Sequence, residues 1–346
     1  MSDLNRKKKV QQGELARMLY RKSDPYVILE KELGPAVAEY RAKWAHAGKS
    51  DLDLKYPVHL NIELVYGCNL RCQFCILSSP KLSRFYKAKP GDRIPFEKYC
   101  AVIDEGVKNG LCSVALNGYN EPLLQKDIVK YINYARDAGI IDVTLHTNGL
   151  LLTEELSRML VDSRLTMIMF SIDALTKGTY KKVRRSDAFD RLMNNITRFL
   201  EIKKEAKRTL PLTRVSFFEN RFNHAEMDDF IALWKDRVDF LAIQNFTHPF
   251  VGQKGSYKKK EKSVHDNYIF SPCLEPHRRL MITCDGNVLP CCSYYAAGMV
   301  VGNIHDDSIY NIWNSSYMRE LRARINGPRD TQPEACRKCR VAVTLT

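Results

Sequence analysis

Residues 59–75 read HLNIELVYGCNLRCQFC, and this stretch decides the fold. Its first half, His59–Val65, is the first convincing strand along the chain. Its second half places three cysteines, Cys68, Cys72 and Cys75, on one short loop directly after that strand. Three thiolates on such a loop could ligate three irons of a [4Fe–4S] cube and leave the fourth iron open. A structural zinc site would need a fourth ligand, and the nearby sequence offers no obvious one.

Beyond this loop, strand-like runs alternate with amphipathic helical patterns, which predicts a parallel sheet. The predicted strands are His59–Val65, Ser113–Leu116, Asp142–Thr147, Met167–Ile172, Arg214–Phe218 and Phe240–Ile243. The predicted helices are Pro95–Gly110, Gln125–Ala138, Thr153–Asp162, Phe189–Ala206 and Ala225–Asp236. We therefore expect an α/β fold, a partial (β/α)6 TIM barrel with a small C-terminal iron–sulfur domain. Functional residues in such barrels follow the strands.

Three domains are predicted from the change of pattern along the chain. Residues 1–55 form an N-terminal extension that we expect to be helical from about residue 10 to residue 45. The barrel occupies 56–252. A cluster domain occupies 253–346, with short strands around a Cys-Asp-Gly turn and a helix near Ile309–Asn326.

The composition narrows the class of protein. With 346 residues, 45% of them hydrophobic, the chain can bury a sizeable core. No uncharged apolar stretch reaches the ~18 residues of a membrane span, so we expect a cytoplasmic protein without membrane contact. The 11 cysteines stand at metal-ligand spacing, which favours a reducing compartment. The net charge of +14 comes without a recognition motif, so nucleic-acid binding is not favoured.

A second group of cysteines lies near the C-terminus. Cys336 and Cys339 form a chelating pair, and Cys273 with Cys291 could complete four thiolates around a second [4Fe–4S] cluster. Cys292 could replace Cys291, because spacing does not distinguish adjacent thiols. This shell would be closed, whereas the first leaves one iron open. A zinc ribbon at the last pair is the alternative.

The first cysteine loop resembles that of the radical S-adenosylmethionine (SAM) superfamily, with Phe74 in the aromatic place of C-x3-C-x-aromatic-C. The resemblance implies that SAM chelates the open iron and is cleaved on reduction to a 5′-deoxyadenosyl radical. Segment 118–122 resembles the family's GGE-type segment, although Tyr119-Asn120 stands where a second glycine is usual. The implied cofactor-binding residues are Phe74, Gly118, Asn120, Glu121, Asn148, Ser171, Asp173 and Arg184.

Several of these residues have other interpretations. Arg185 is an equal candidate for the arginine that binds the SAM carboxylate. Segment 118–122 and Asn148-Gly149 could be plain turns. Asp173 could instead cap the following helix. The segments together are more specific than any one, because each follows a predicted strand.

The C-terminal segments resemble the SPASM and Twitch extensions of the same superfamily. SPASM forms hold two auxiliary clusters and need more cysteines than remain here, which favours the one-cluster Twitch form and implies two [4Fe–4S] clusters in all. The cysteine progression is most similar to that of 2-deoxy-scyllo-inosamine dehydrogenases. The resemblance implies oxidation of a secondary alcohol on a sugar, cyclitol or similar small molecule, with a flavodoxin or ferredoxin as the reductant.

Catalytic residues and other functions stay open at this point. His248, after the sixth strand, is a candidate base by position, although a structural histidine is the commoner case. An epimerase would need a thiol hydrogen donor, and Cys292 is the candidate because Cys100 and Cys112 lie in apolar surroundings. A peptide maturase is less favoured, since no separate peptide-recognition domain precedes the barrel. An iron–sulfur electron carrier or an RNA-binding scaffold would have no use for an open iron.

Overall fold

The computed structural model describes residues 16–21, 23–49, 54–244, 273–325, 327–328 and 330–339. The strands of this part are β1 (Ala16–Arg21), β2 (His59–Ile62), β3 (Ser113–Ala115), β4 (Asp142–Thr147), β5 (Met167–Ser171), β6 (Leu212–Phe218), β7 (Phe240–Gln244), β8 (Arg279–Ile282), β9 (Asn287–Leu289) and β10 (Gly302–Asn303). The helices are α1 (Pro25–Leu33), α2 (Ala36–His46), α3 (Pro80–Ser83), α4 (Phe96–Lys108), α5 (Ile128–Ala138), α6 (Glu154–Asp162), α7 (Lys177–Arg184), α8 (Phe189–Glu205), α9 (Met227–Trp234), α10 (Ile309–Trp313), α11 (Ser316–Ile325) and α12 (Glu334–Lys338).

Six consecutive strands, β2 to β7, form the parallel centre of one sheet. Neighbours in the sheet follow chain order, and at least one helix lies between each successive pair. This is the predicted (β/α)6 partial barrel. All six predicted strands and the five predicted helices are confirmed, with differences only at their ends.

The main core lies between this sheet and its covering helices. In β4, for example, Val143 and Leu145 are fully buried in the same apolar cluster as Ile132 of α5 and Leu160 of α6. Each such side chain contributes about 1.5–3 kcal/mol of hydrophobic stabilisation. The alternate residues of a strand face the other side, so polar groups such as His146 line the inner surface of the barrel.

The C-terminal region continues the barrel sheet. β8 pairs in parallel with β2, with Leu60 opposite Leu280, and β9 and β10 follow in antiparallel order. The predicted Cys-Asp-Gly turn is present, and Gly286 adopts φ 84° there, a conformation that favours glycine. The predicted helix near the C-terminus is two helices, α10 and α11.

The N-terminal extension differs from the prediction. Ala16–Arg21 is a strand, not part of a helix, and it pairs antiparallel with β7. Without β1, β7 would be an edge strand with unpaired backbone N–H and C=O groups. β1 forms hydrogen bonds with these groups. In α2, Tyr40 packs in a cluster with Val58 and Cys112. Within the described residues, no helix has the length and apolar character needed to cross a membrane.

Candidate active site

The three thiols of the first set lie together in the loop after β2. Cys72 is buried, whereas Cys68 and Cys75 are partly exposed. The N–H of Cys75 donates to the carbonyl of Cys72 (3.1 Å), and the N–H of Gln73 donates to the carbonyl of Val183 in α7 (3.1 Å). Burial raises the pKa of Cys68 to about 12, and the charges of Cys72 and Cys75 add to the shift. The three thiols are therefore close enough to act on one another.

Arg184, at the end of α7, extends its guanidinium to this loop. Its Nη2 pairs with Asp173 Oδ2 at 2.5 Å, and its Nη1 donates to Cys72 Sγ at 3.4 Å. The guanidinium carbon lies 5.5 Å from the ring centroid of Phe74. Arg184 is 7% exposed, and its Nε has no hydrogen-bond acceptor among the residues that the structure describes. Arg185 is exposed, so the geometry favours Arg184 of the two candidates.

Asp173 is held in an unusual backbone conformation after β5. Its φ is 61°, a region that side-chain-bearing residues rarely adopt, and its Oδ1 accepts from the N–H of Phe218 (2.7 Å). The N-cap of α7 is Thr176, so the interpretation of Asp173 as a helix cap is wrong. Burial raises the pKa of Asp173 while Arg184 opposes that shift. Ser171, another predicted cofactor residue, ends β5 and is partly exposed.

Glu121 and Asn148 connect the second and third predicted segments. Glu121 is 2% exposed, and its carboxylate accepts from Thr147 Oγ1 (2.6 Å) and from the N–H of Asn148 (2.8 Å). The side-chain amide of Asn148 donates to Cys68 Sγ at 3.7 Å. Gly149 has φ 74°, so this segment is a turn and also contacts the first thiol set. Glu121 positions Asn148, because both its oxygens accept from protein donors.

Gly118 and Asn120 are tied to the end of β2. A Cβ on Gly118 would lie 2.5 Å from Oε2 of Glu63, so only glycine fits without displacement. The side-chain oxygen of Asn120 accepts from the N–H of Gly118 (3.1 Å), and its amide donates to the carbonyl of Val65 (2.9 Å). The N–H of Tyr119 donates to Glu63 Oε2 (2.7 Å). These hydrogen bonds hold the segment against the residues that follow β2, which a plain turn would not need.

These residues fit an iron–sulfur cluster with SAM beside it. Arg184 and Asn148 direct N–H groups at thiol sulfurs, a contact that tunes such clusters. The buried Nε of Arg184 could bind a carboxylate. Within the described residues, no three His, Cys, Asp or Glu side chains meet closely enough to hold a single metal ion. A four-iron cube spreads its thiolates around a larger body than one ion, so it does not need that convergence.

The second set contains five thiols from segments that lie far apart in the chain. These are Cys273, Cys291, Cys292, Cys336 and Cys339. The N–H of Cys339 donates to the carbonyl of Cys336 (3.1 Å), which closes the turn of the C-x2-C pair. Burial raises the pKa of Cys291 well above its ordinary value, and charges of Cys292 and of other members of the set add to this. Cys292 Sγ lies 3.8 Å from Nη1 of Arg279, so this thiol also contacts an arginine.

The paired strands β2 and β8 help to position both sets. The first set follows the carboxyl end of β2. Cys292 of the second set contacts Arg279, which begins β8 and lies opposite His59, the first residue of β2. Cys75 of the first set and Cys292 of the second also pack against one apolar cluster, which includes Tyr119.

Two tyrosines connect the sets through the interior. The hydroxyl of Tyr119 donates to the carbonyl of Ser293 (2.9 Å), and Ser293 Oγ lies 3.3 Å from Cys339 Sγ. The rings of Tyr119 and Tyr294 are 5.6 Å apart. Burial raises the pKa of Tyr294, and the charges of Cys75 and its loop add to that. In the sequence, Tyr119 stands out only as a departure from a glycine, and no pattern points to Tyr294.

The inner surface near β4 and β6 is basic. Burial lowers the pKa of His146 to about 3, and Arg214 and Arg279 lower it further by their charge. His146 is therefore neutral near pH 7.

Cys284 belongs to neither thiol set. It is 1% exposed, and its Sγ lies 3.6 Å from the hydroxyl of Tyr86. That hydroxyl also donates to Glu63, a fully buried carboxyl at the end of β2. Glu63 therefore joins the loop of Tyr86, the SAM-type segment at Tyr119 and the C-terminal region. No local sequence pattern predicts this network, because Glu63, Tyr86 and Cys284 are far apart in the chain.

The remaining predicted residues have mixed outcomes. Cys112 is buried as predicted, and its thiol donates to the carbonyl of Gly110 (3.3 Å). Cys100 is partly exposed, contrary to the prediction of a buried thiol. The candidate base His248 lies outside the described residues, so its role stays a prediction.

Two family models match the chain at these two sites. The radical SAM superfamily matches residues 62–216, and the SPASM iron–sulfur cluster-binding domain matches residues 273–340. The chain carries a radical SAM domain followed by a SPASM domain. Its cofactors are therefore SAM and iron–sulfur clusters. The matching extension is SPASM, whereas the cysteine count had favoured the Twitch form, and the number of clusters stays a prediction.

Curated relatives of the radical SAM domain carry the name GTP 3′,8-cyclase. The probable GTP 3′,8-cyclase of Saccharolobus solfataricus is 31% identical over 50% of this chain and 52% of its own length. The GTP 3′,8-cyclase of Aliarcobacter butzleri is 25% identical over 71% of this chain and 83% of its own. The chain thus spans only about half the length of the first of these relatives.

Solved structures share the fold. SuiB of Streptococcus suis, bound to precursor peptide SuiA, superposes with a TM-score of 0.61 and 17% identity over 93% of this chain and 76% of SuiB. BtrN in complex with AdoMet and 2-DOIA gives a TM-score of 0.50 and 16% identity over 82% of this chain and 92% of BtrN. The finer resemblance to 2-deoxy-scyllo-inosamine dehydrogenases is limited to this structural likeness, because the sequence relatives carry a different name.

Proposed function

We propose that this radical SAM enzyme oxidises a secondary alcohol of a sugar, cyclitol or similar small molecule. The observation that supports it best is the second thiol set, which offers more than enough thiols to close the shell of an auxiliary cluster. A cluster without an open position suits electron transfer and not substrate binding. Such an acceptor is what an oxidation needs and what a redox-neutral rearrangement does not.

The first site would supply the radical. When bound there, the cluster and SAM together provide a carbon radical that can take a hydrogen atom from a C–H bond. Asp173 fixes Arg184, which would bind the SAM carboxylate. Glu121 holds Asn148, whose amide donates to Cys68 Sγ. The protein's part is to position these groups around the loop.

The oxidation sets two further demands on the chain. A carbinol that becomes a carbonyl loses a hydrogen atom from carbon, a proton from oxygen and one electron. The electron would go to the second set. The proton needs a base, and His248 stays the candidate, since the pKa of His146, lowered to about 3, makes that histidine a weak base.

GTP 3′,8-cyclisation is the second candidate, and the names of the sequence relatives favour it. Epimerisation is a third, in which Cys292 or another thiol would return a hydrogen atom to the substrate carbon. A peptide substrate has weaker support, because SuiB shares the fold at only 17% identity.

Product identification separates these functions. The reconstituted, reduced enzyme is incubated in deuterated buffer with SAM and, in parallel, with cyclitols, sugar alcohols and GTP. We expect 5′-deoxyadenosine to form together with a carbonyl product that has lost both carbinol hydrogens. A product that keeps its hydroxyl and gains carbon-bound deuterium would replace this proposal with epimerisation. Consumption of GTP alone, with formation of a cyclised nucleotide, would replace it with the cyclase.

A further inference from the structure

Two consecutive arginines, Arg278 and Arg279, lie against the second thiol set. Nη1 of Arg279 is 3.8 Å from Cys292 Sγ, and the charges of Cys292 and Cys291 act on that guanidinium. The charge of Cys273 acts on Arg278. Arg279 therefore contacts a candidate ligand of the cluster, and Arg278 stands next to it in the chain.

Arg278 is buried in an unusual way. It is 2% exposed, and its Nε and Nη2 have no hydrogen-bond partner within the part of the chain that the structure describes. Burying a cation without a counter-charge is costly. Glu275 is the carboxylate nearby, but it pairs with Arg279 Nε at 2.6 Å. Among the described residues, Glu275 is thus the carboxylate that acts on both guanidinium groups, which leaves positive charge beside the thiols there.

The N-terminal extension holds these arginines in place. The indole of Trp44 in α2 lies 4.9 Å from the guanidinium carbon of Arg278 and 4.7 Å from that of Arg279. Contacts of this kind bind and orient a guanidinium. Trp44 itself is fixed edge-on to His59 at 5.8 Å, at the start of β2. This gives the extension a physical connection to the cluster domain.

We propose that Arg278 and Arg279, oriented by Trp44, offset the negative charge of the second iron–sulfur cluster and so raise its reduction potential. Four thiolates make such a cluster anionic, and reduction adds a further negative charge. Net charge, hydrogen bonds to sulfur and burial set the potential of these clusters. The inference rests on the proposed function in one respect: a higher reduction potential makes the cluster a better electron acceptor.

The test measures that potential directly, without substrate. Full-length protein in which Cys68, Cys72 and Cys75 are alanine is reconstituted, so that one cluster gives the signal. It is titrated with dithionite and mediator dyes and followed by electron paramagnetic resonance. With Arg278→Gln, the ratio of reduced to oxidised cluster at a fixed potential should fall about tenfold, a shift of about 59 mV for one electron.

Three further variants make the result specific. Arg278→Lys keeps the charge and should restore most of the shift. Arg164→Gln removes one charge from an exposed ion pair with Asp137, and it should leave the potential unchanged. Trp44→Leu keeps both arginines but removes their support, and it should lower the potential by a smaller amount.

Each outcome decides the matter. An unchanged potential in loaded Arg278→Gln protein overturns the proposal, as does an equal fall in Arg278→Gln and Arg278→Lys, which would indicate packing and not charge. If Arg278→Gln takes up no cluster, an unchanged potential in Trp44→Leu overturns the proposal, and a fall there supports it. Because no substrate is used, a failure of the alcohol-oxidation proposal leaves this result untouched.

Discussion

The first thiol set lies on one loop, Cys68 to Cys75, whereas the second draws its cysteines from segments that meet only in the folded molecule. The first loop needs β2 and α7 for its position. The second needs β8 to pair with β2, and it needs Ser293 to meet Cys339. Their neighbours differ as well, since Arg184 donates to a thiol of the first set, whereas Arg279 contacts a thiol of the second and has Arg278 beside it. If the proposed function holds, radical formation at the first set and electron acceptance at the second are separable by mutation.

Cys72→Ala is expected to have the largest effect, because Cys72 is the buried member of the first set. SAM cleavage should fall to the level of a control without enzyme. Replacing Cys68, Cys72 and Cys75 together should remove about four irons per chain and leave the second set loaded. Iron analysis and chromatography of 5′-deoxyadenosine measure both. Cys100→Ala is the matched control and should keep iron and activity. Normal SAM cleavage in Cys72→Ala would contradict the assignment of the first site.

Cys339→Ala tests the other side of the comparison. Reductive SAM cleavage should persist, because the first set is intact, while the oxidised product disappears with its electron acceptor. 5′-Deoxyadenosine then accumulates without product, which mass spectrometry of one reaction mixture shows. A folded Cys339→Ala protein that lacks the second cluster and oxidises substrate at the parent rate would leave that cluster a structural role and favour epimerisation.

The sequence predicted the local site better than the distant one, for a physical reason. The first strand and the cysteine loop lie in one short stretch, His59–Cys75. The residue pattern of the strand and the spacing of the cysteines were therefore enough to predict the first site. The contact of Cys292 with Arg279 depends on how β9 returns along β8. Parallel pairing of β2 with β8 joins residues from opposite halves of the chain, and no local pattern encodes it.

The same reasoning accounts for the individual errors. Ala16–Arg21 is a strand because it pairs with β7, a tertiary contact that overrides its local preference. Asp173 was ambiguous as a cap because a carboxylate before a helix has that role in many proteins. The structure excludes that role, because Thr176 caps α7 and Asp173 pairs with Arg184. The bond between Tyr119 and Glu63 was not predicted, because it joins the ends of two different strands.

Arg184→Ala tests the buried ion pair of the first site by its effect on the free energy of unfolding. It would leave Asp173 buried without its ion-pair partner, which costs about 3–5 kcal/mol of unfolding free energy. Arg185→Ala changes the exposed neighbouring arginine and should cost no more than about 0.5 kcal/mol. Urea unfolding of the two apoproteins gives the comparison. Equal losses for the two variants would show that the buried pair has no special place in the site.

Glu63→Gln is expected to have the smallest effect, and it tests the contact between the two regions. Burial raises the pKa of Glu63 above its ordinary value of 4.5. Above pH 4.5 the unfolded chain therefore ionises this group while the folded chain still holds its proton, so stability falls as pH rises through that window. Glutamine does not titrate, and the variant should gain on the parent between pH 5 and pH 8, by less than about 3 kcal/mol. Thermal unfolding of both apoproteins at the two pH values measures this, with Glu320→Gln, an exposed change, as the control. A difference in stability between variant and parent that stays constant with pH would mean that Glu63 is already ionised in the folded protein. The contact between the barrel and the C-terminal region would then depend on a carboxylate that accepts hydrogen bonds from Tyr86 and Tyr119.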